Sequence, residues 1–387
     1  MLSHLGLSPS FGFGDRLGLA TPGHIAAVKG TKFAPIFAQQ SVRENVRTGR
    51  TPQQVLDDAR RAVDAAKWDA PWGADADHLK TVEDLAPFVN AGYTFFTVDP
   101  GSYVDNSADT DSPPVLRKKT EGENWDDLEE IYLRGAQEHS FGVFETGTLL
   151  RAVAKYSRAI RHTVKIYRRL SSLTGTIDFE VSVDETDAPT TPLEHYFIAN
   201  ELTRQGVQFT SLAPRFIGRF EKGVDYIGDF AALDAELAKH AAVTAHFDSY
   251  KISLHSGSDK FSVYPLIVKH WGDRVHVKTA GTSYLEALRT LAVAEPALFE
   301  QIWVLGVQQY SSDRVTYHVS ADESKVPANI ALPELLDDFH ARQILHVTYG
   351  SALAQFGAEI KSALMKHDPT YHANLQRHFG RHLALLK

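Results

Sequence analysis

The chain has 387 residues, 43% of them hydrophobic, enough to bury a large core as one elaborated barrel or as two ordinary domains. Its formal net charge of -8 repels polyphosphate backbones and anionic lipid, which excludes generic nucleic-acid or membrane-surface binding unless a locally basic surface exists. Cysteine is absent, which rules out disulfides, thiolate metal sites and a cysteine nucleophile and leaves 18 histidines, with Asp and Glu, as metal ligands. No stretch approaches the roughly 20 apolar residues of a membrane span. The amino terminus lacks a charged segment followed by a sustained apolar run, and a cytoplasmic location is expected.

In chain order, Gly12-Phe13-Gly14-Asp15-Arg16-Leu17-Gly18 superficially looks like a dinucleotide-binding glycine loop, but no hydrophobic strand precedes it and Pro22-Gly23 breaks the helix that should follow. Asp15, Arg16 and His24 are read instead as a polar loop at the mouth of a sheet. Thr51-Pro52 starts an amphipathic helix. From residue 72 onward, short β-branched runs alternate with helical patterns, the ordering of βαβ units. Strands are expected at Gly73 to Leu79 and Tyr93 to Val98, with a helix over Val82 to Asn90 between them. An acidic, proline-containing stretch from Asp99 to Asp127 and a long helical pattern from Leu128 to Leu170 then interrupt the alternation. The Asp and Ser cluster around Asp105 to Asp111 and the basic face of Arg151 to Leu170 are read as solvated.

Ile177 to Val183 reads as a strand, and Thr191-Pro192-Leu193-Glu194 opens a helix with a cap, an N1 proline and a capping-box glutamate, closed near Gly206. Strand Gln208 to Ala213, helix Asp229 to Ala245, strand Tyr250 to His255 with a helix ending near Gly272, and strand Arg274 to Thr279 follow. Ser283-Tyr284-Leu285-Glu286 is a second predicted capping box, for a helix to about Ala294. Further strands are expected around Ile302 to Val307 and Ile344 to Tyr349, and Asp368-Pro369 starts the last helix.

Side chains two apart share a face of a strand. Phe179, Val181 and Val183 therefore oppose Glu180, Ser182 and Asp184; Ile252 and Leu254 oppose Lys251, Ser253 and His255; Val275 and Val277 oppose His276 and Lys278. A central strand of an open, doubly wound sheet is apolar on both faces. A closed barrel, whose interior holds polar groups toward the carboxyl ends of its strands, explains the pattern better. The fold class is accordingly α/β: a (β/α)8 TIM-type barrel with a helical insertion and extra C-terminal helices. Residues 1–387 read as one elaborated domain, with 99–170 as the insertion.

Several polar groups fall at predicted strand ends. Asp77-His78 puts a carboxylate beside a histidine, as general acid or base and metal ligand, or as a plain helix-capping loop. Glu180, flanked by Phe179 and Val181 in its strand, needs a cation or a hydrogen-bonding partner; a metal, or an ion pair with Lys251 or Lys278, would satisfy it equally well. His255 reads as a ligand or a hydrogen-bonded core residue, and Lys260 beyond it as an anion contact aided by helix-terminal amides. Asp184 and Glu185 divide between substrate binding and capping, and His346 between metal ligation and core packing. Arg215, nearest its strand among Arg215, Arg219 and Lys222, offers a planar donor fork to a carboxylate.

Taken together, the Gly12 to His24 run, Ala74 to Lys80, Glu180 to His195, Ser211 to Asp229, Lys251 to Lys260 and Lys278 to Tyr284 resemble the tagaturonate/fructuronate epimerase family over most of the chain. The resemblance implies a divalent metal and interconversion of two keto-hexuronates differing at one hydroxyl-bearing carbon; related enzymes act on the neutral ketohexoses fructose and tagatose. Asp77-His78-Leu79 is also similar to a segment of the tagatose-bisphosphate aldolase relatives, where the matching histidine is a metal ligand, a role this implies for His78.

On that reading His78, Glu180, His255 and His346 ligate the metal, Asp77 or Asp184 performs acid/base work, and Lys251, Lys278 and Arg215 contact an enolate or carboxylate. Asp15, His24 and Lys260 complete the substrate contacts. Zinc, manganese, cobalt, nickel and iron all accept such ligands. The inverted carbon, C4 in ketose numbering, is β to the C2 carbonyl, so its C–H is not acidified. Retro-aldol cleavage of C3–C4 and re-addition is therefore expected, with carbonyl migration or hydride movement as alternatives. A class II ketose aldolase and a non-catalytic sugar-binding protein are the rival functions. The partner is a small sugar acid or ketohexose, and the sequence leaves a homo-oligomer open.

Overall fold

The structure is a computed structural model that describes residues 1–134 and 139–387. Eight parallel strands close a barrel in sequential order: β1 (Ser10–Gly14), β2 (Ala34–Ser41), β3 (Gly73–Leu79), β4 (Phe95–Val98), β5 (Asp178–Ser182), β6 (Ser211–Ala213), β7 (Lys251–Leu254) and β8 (Val275–Thr279). Closure is made by β8 on β1, with Ser10 opposite His276 and Gly12 opposite Lys278. The wall is built from α1 (Thr21–Val28), α2 (Val42–Thr48), α3 (Pro52–Ala65), α4 (Leu85–Ala91), α5 (Pro113–Lys119), α6 (Trp125–Glu129), α7 (Thr146–Leu173), α8 (Pro192–Arg204), α9 (Phe230–Phe247), α10 (Tyr264–Trp271) and α11 (Thr282–Ala294). Four more helices follow: α12 (Pro296–Asp313), α13 (Phe339–Val347), α14 (Tyr349–Lys366) and α15 (Asp368–Ala384).

Local chemistry explains most boundaries. Ser41, Thr51 and Thr191 each accept from the amide three residues on while Glu44, Gln54 and Glu194 reach back, closing the first turns of α2, α3 and α8. Asp229 caps α9 through the amides of Ala231 and Ala232. The expected box at Ser283–Glu286 does not form: α11 starts at Thr282, and its N-cap is Gly281, two residues before Ser283 and without a side chain to cap it. Ser283 Oγ donates instead to Gly14 O at 2.6 Å, tying the helix to the barrel.

Two expected strands are helical. Ile302 to Val307 lies inside α12 and Ile344 to Tyr349 spans the end of α13 and the start of α14. Short apolar runs fit a buried helix turn as well as a strand, and length decides between them. Their places in the barrel belong to β1 and β2, which precede the region where alternation was expected. The glycines of β1 have a steric reason: a Cβ on Gly12 would lie 1.7 Å from Gln39 Oε1, so the bare backbone makes room for the β2 side chain.

Between β4 and β5 the chain passes through α5, α6 and the 28-residue α7. The long pattern expected over 128–170 is not one helix, since α6 and α7 are separate elements; its stretch 135–138 lies outside the described residues. Nor is the basic face of α7 wholly solvated: Lys155 is buried and pairs with Asp109 at 3.0 Å and Glu194 at 3.2 Å. One apolar cluster runs from Phe11 in β1 to Leu386 beyond α15, packing helices onto the outward faces of the strands. Among the described residues no helix is long and apolar enough to cross a membrane.

Candidate active site at the barrel mouth

The inward-facing polar residues stack in layers. At the floor, Asp178 accepts from the amides of Leu5 (2.6 Å) and Gly6 (3.1 Å), and Lys251 Nζ donates to Ser8 O and Ser10 Oγ, both at 2.8 Å. Leu5, Ile36 and Phe95 fill the space around them. Burial pushes the Lys251 ammonium down to about 8 against the pull of Asp178 and Glu180. Lys251, expected as a catalytic group, is thus placed at the floor of the barrel and engaged by Ser8 and Ser10. It precedes His255 by four residues on one strand, about 13 Å further from the mouth.

One step up, Lys278 Nζ lies 2.6 Å from Asp75, 2.7 Å from Asp77 and 2.9 Å from Glu180, with Thr97 Oγ1 also in contact. Ser211 Oγ donates to the second Glu180 oxygen at 2.6 Å. Burial works against ionisation of all four charged groups. Burial raises Asp75 to about 7 despite Lys278, whereas Lys278 and His255 hold Glu180 well below the usual carboxylate range. His78 and Lys278 do the same for Asp77, and the three carboxylates hold the Lys278 ammonium above its ordinary value. Lys278 is a fixed cation; it does not exchange a proton near neutrality.

At the mouth, the β3–β4 register shifts between Ala76 and Leu79, and His78 sits at φ +53°, a left-handed conformation costly for a residue with a Cβ. The bulge lets the neighbouring Asp77 and His78 both serve the interior, joined Oδ1 to Nδ1 at 2.8 Å. Across from them, His255 Nε2 meets Glu180 Oε1 at 2.6 Å, and its Nδ1 lies 3.3 Å from Asp184. The two imidazole rings are 5.2 Å apart. His78 Nε2 is buried without a hydrogen-bond partner, 3.9 Å from Asp184 and 4.0 Å from Glu185. Burial opposes protonation of both histidines, but Asp77 raises His78 to about 10 and Asp184 and Glu180 raise His255.

One ligand atom from each of His78, Asp184 and His255 lies within 4.8 Å of the others, as in a set formed by His78, Asp99 and Glu185. Asp77 and the nearby carboxylates favour a proton on His78 here, leaving Nε2 buried beside carboxylates too distant for a hydrogen bond; a divalent cation would take the place of that proton, with Nε2 as its donor. A third set, Asp259, His378 and His382, lies at α15, where Asp259 is already engaged by Arg342 (3.0 Å) and His378 (2.6 Å) and His382 Nε2 accepts from the Asp259 amide. His346 belongs to none of these sets. It projects from α13, not from a strand end, and its Nε2 abuts Gly281, where a Cβ would approach to 2.0 Å.

A cavity of about 320 Å³ opens beside His255 and Asp184, walled by the loop after β6 and by Thr316–Ser320 between α12 and α13. Arg215 lines it, half-buried, with Nη1 lacking a hydrogen-bond partner. Three expected substrate contacts lie elsewhere. Asp15 accepts from the amides of Leu17, Gly18 and Ala20, closing its own loop. His24 stacks on Phe13 and pairs with Ser283 at 2.8 Å outside the barrel. Lys260 is buried among three backbone carbonyls. Conversely, Glu185, Lys222 and Thr316–Ser320 all line the cavity. Glu185 is the residue expected, with Asp184, to divide between substrate binding and capping, and Lys222 is the one set below Arg215 as surface basicity; Thr316–Ser320 carried no signal, lying in a long polar connection between helices.

Acidic, basic and imidazole groups converging from β3, β5, β7 and β8 at the carboxyl end of a closed parallel sheet define a (β/α)8-barrel enzyme. A family model described as tagaturonate epimerase matches residues 3–386. A tagaturonate/fructuronate epimerase from Thermotoga maritima is 45% identical over 99% of this chain and 81% of its own. The glycerol-complexed crystal structure of a fructuronate-tagaturonate epimerase from Cohnella laeviribosi superposes with a TM-score of 0.95 at 38% identity, covering 100% of this chain and 83% of that one. A probable tagatose 6 phosphate kinase from Sinorhizobium meliloti 1021, at 12% identity and a TM-score of 0.55 over 98% of this chain and 100% of that one, shares the fold alone. The chain belongs to the tagaturonate epimerase family and is an isomerase.

Proposed function

We propose that the chain interconverts D-tagaturonate and D-fructuronate at C4, using a divalent cation held by His78, Asp184 and His255. The carrying observation is the buried, unpartnered Nε2 of His78, facing Asp184 and His255 at the end of the cavity. The family membership supports the reaction and the donor set supports the cation. Glu180, expected as a ligand, engages His255 Nε2 and so turns Nδ1 toward Asp184; His346 serves packing. Residues 1–387 act as one elaborated barrel with 99–170 as an insertion, a reading supported by the single large apolar cluster.

The cation would polarise the C2 carbonyl and favour an enolate there. Glu185, on the cavity wall, accepts the C4 hydroxyl proton; the C3–C4 bond breaks, its electron pair passes to the C2 carbonyl, and C4 becomes an aldehyde. The aldehyde turns, C3 re-adds to its opposite face, and Glu185 returns the proton to oxygen. Lys278 keeps the ring of carboxylates neutralised and Asp77 fixes the His78 tautomer. Arg215 offers its free donor to the uronate carboxylate, so tagatose and fructose, which lack that group, bind the same cavity more weakly.

Metal analysis paired with an epimerisation assay on tagaturonate and tagatose tests the reading. About one divalent ion per chain and retention of a C4 deuterium label are expected, with His255→Ala emptying the site and abolishing turnover. Full metal occupancy in that variant refutes the site, and washout of the label refutes the bond cleavage.

A further inference from the structure

Lys222 and Lys260 are four decades of sequence apart only in appearance, because two loops bring them into one unit. Lys260, fully buried at the end of the loop after β7, donates to Glu221 O at 2.7 Å, Val224 O at 2.6 Å and Ser258 O at 3.0 Å. An ammonium has three N–H donors, and here all three end on main-chain carbonyls. Two of those carbonyls bracket Lys222 in the loop after β6. The Lys222 side chain turns the other way, into the cavity, where Nζ donates to Ser256 Oγ at 2.6 Å beside Asp184 and Glu185. Its two remaining donors are free for a ligand. Ser256 itself is held at φ +51°, so both ends of this contact are set by backbone geometry.

We propose that Lys222 is a second cation that, with Arg215, fixes the uronate carboxylate, and that Lys260 is its positioning residue, clamping residues 221–224 so that the Lys222 ammonium stays over the cavity. The proposal rests on the cavity being the substrate site. The loop has further ties, from Ser262 Oγ to Asp225 (2.7 Å) and from Arg342 Nε to Gly223 O (2.6 Å), but only Lys260 holds both sides of Lys222.

A double-mutant cycle with Lys222→Met and Lys260→Met, read as kcat and KM for tagaturonate alongside thermal unfolding, tests it. Lys222→Met is expected to raise KM about tenfold, the loss of one charge-assisted hydrogen bond, with a smaller effect on kcat. Lys260→Met is expected to raise KM in the same sense, and to add nothing further once Lys222 is gone. Because the chain has no cysteine, the buried Lys260→Cys thiol can be alkylated uniquely with 2-bromoethylamine in the urea-unfolded chain, and after refolding the restored ammonium should bring KM back. If Lys260→Met does not fold, Lys260→Arg replaces the compact ammonium by a longer planar head and is expected to raise KM only when Lys222 is present. An unchanged KM in Lys222→Met overturns the contact of Lys222 with the carboxylate, whereas the cavity assignment itself falls if His255→Ala keeps its turnover. A normal effect of Lys222→Met with independent, multiplicative effects of Lys260→Met, or a wild-type KM in Lys260→Arg, overturns the positioning role alone.

Discussion

Replacing Lys278 by methionine removes the one ammonium that lies within 2.9 Å of Asp75, Asp77 and Glu180 while keeping the length of the side chain. Deleting one partner from a buried ion pair costs about 3–5 kcal/mol, because the remaining charge is stranded away from water. At about 2.1 cal/mol/K of unfolding entropy per residue, 387 residues carry about 0.8 kcal/mol/K, so Tm should fall by about 4–6 °C. The gap should also depend on pH. In the wild type Asp77 and Glu180 are held well below the usual range and stay ionised from pH 7.5 to 5.5. Without Lys278, burial raises Glu180 and Asp77 above their wild-type positions, opposed now only by His255 and His78; a carboxylate that rises past its unfolded value binds a proton in the folded variant that the unfolded chain does not, and acidification then stabilises the variant. Each carboxylate protonated across about 1.5 pH units returns about 2 kcal/mol, so the deficit narrows at pH 5.5. Scanning fluorimetry or calorimetry at the two pH values reads both effects. A variant as stable as wild type at pH 7.5, or a deficit that does not change with pH, refutes the assignment of Lys278 as the neutraliser of these three carboxylates.

Lys251→Met, by contrast, should leave kcat/KM within about threefold of wild type, since the side chain plugs the floor and only Ser8 O and Ser10 Oγ lose a donor. Its folded-state value near 8 lies below that of the unfolded chain, so wild type should gain stability relative to this variant as pH rises from about 8 to about 10.4; a loss of activity beyond about a hundredfold would return Lys251 to the chemistry. Burial holds His24 at about 4 and His240, His276 and His382 at about 3. The unfolded chain therefore binds these protons first, and the urea midpoint should drop as pH falls from about 6.5 to 4; a midpoint constant over that window contradicts the neutral burial of these rings.

The inward and outward faces of β5, β7 and β8 were legible because a period of two separates Glu180, His255 and Lys278 from their apolar neighbours without knowledge of tertiary structure. That alternation alone selects a closed sheet. What it does not supply is depth: Lys251 and His255 share a face, yet one closes the floor and the other lines the mouth. Strand β1, reading Ser-Phe-Gly-Phe-Gly, was hidden because its glycines look like a loop until the approach of Gln39 explains them. Likewise Ile302–Val307 and Ile344–Tyr349 are apolar enough for strands, and only packing of α12 against α13 and α14 makes them helical. Lys260 misled through its neighbours: a lysine beyond a strand end suggests an anion contact, whereas the carbonyls that claim it come from residues about 40 positions away.

Among the described residues, Asp178, Lys251 and the Leu5–Ile36–Phe95 cluster close one end of the barrel, and the cavity beside His255 and Asp184 opens at the other, next to Thr316–Ser320. A lyase or transferase so built would have to discharge unlike fragments through the opening by which they entered. An isomerase has no such conflict, because what leaves has the same atoms and nearly the same shape as what arrived. Under the proposed bond cleavage the closed floor would serve the reaction, by holding a severed three-carbon piece beside its partner for re-addition.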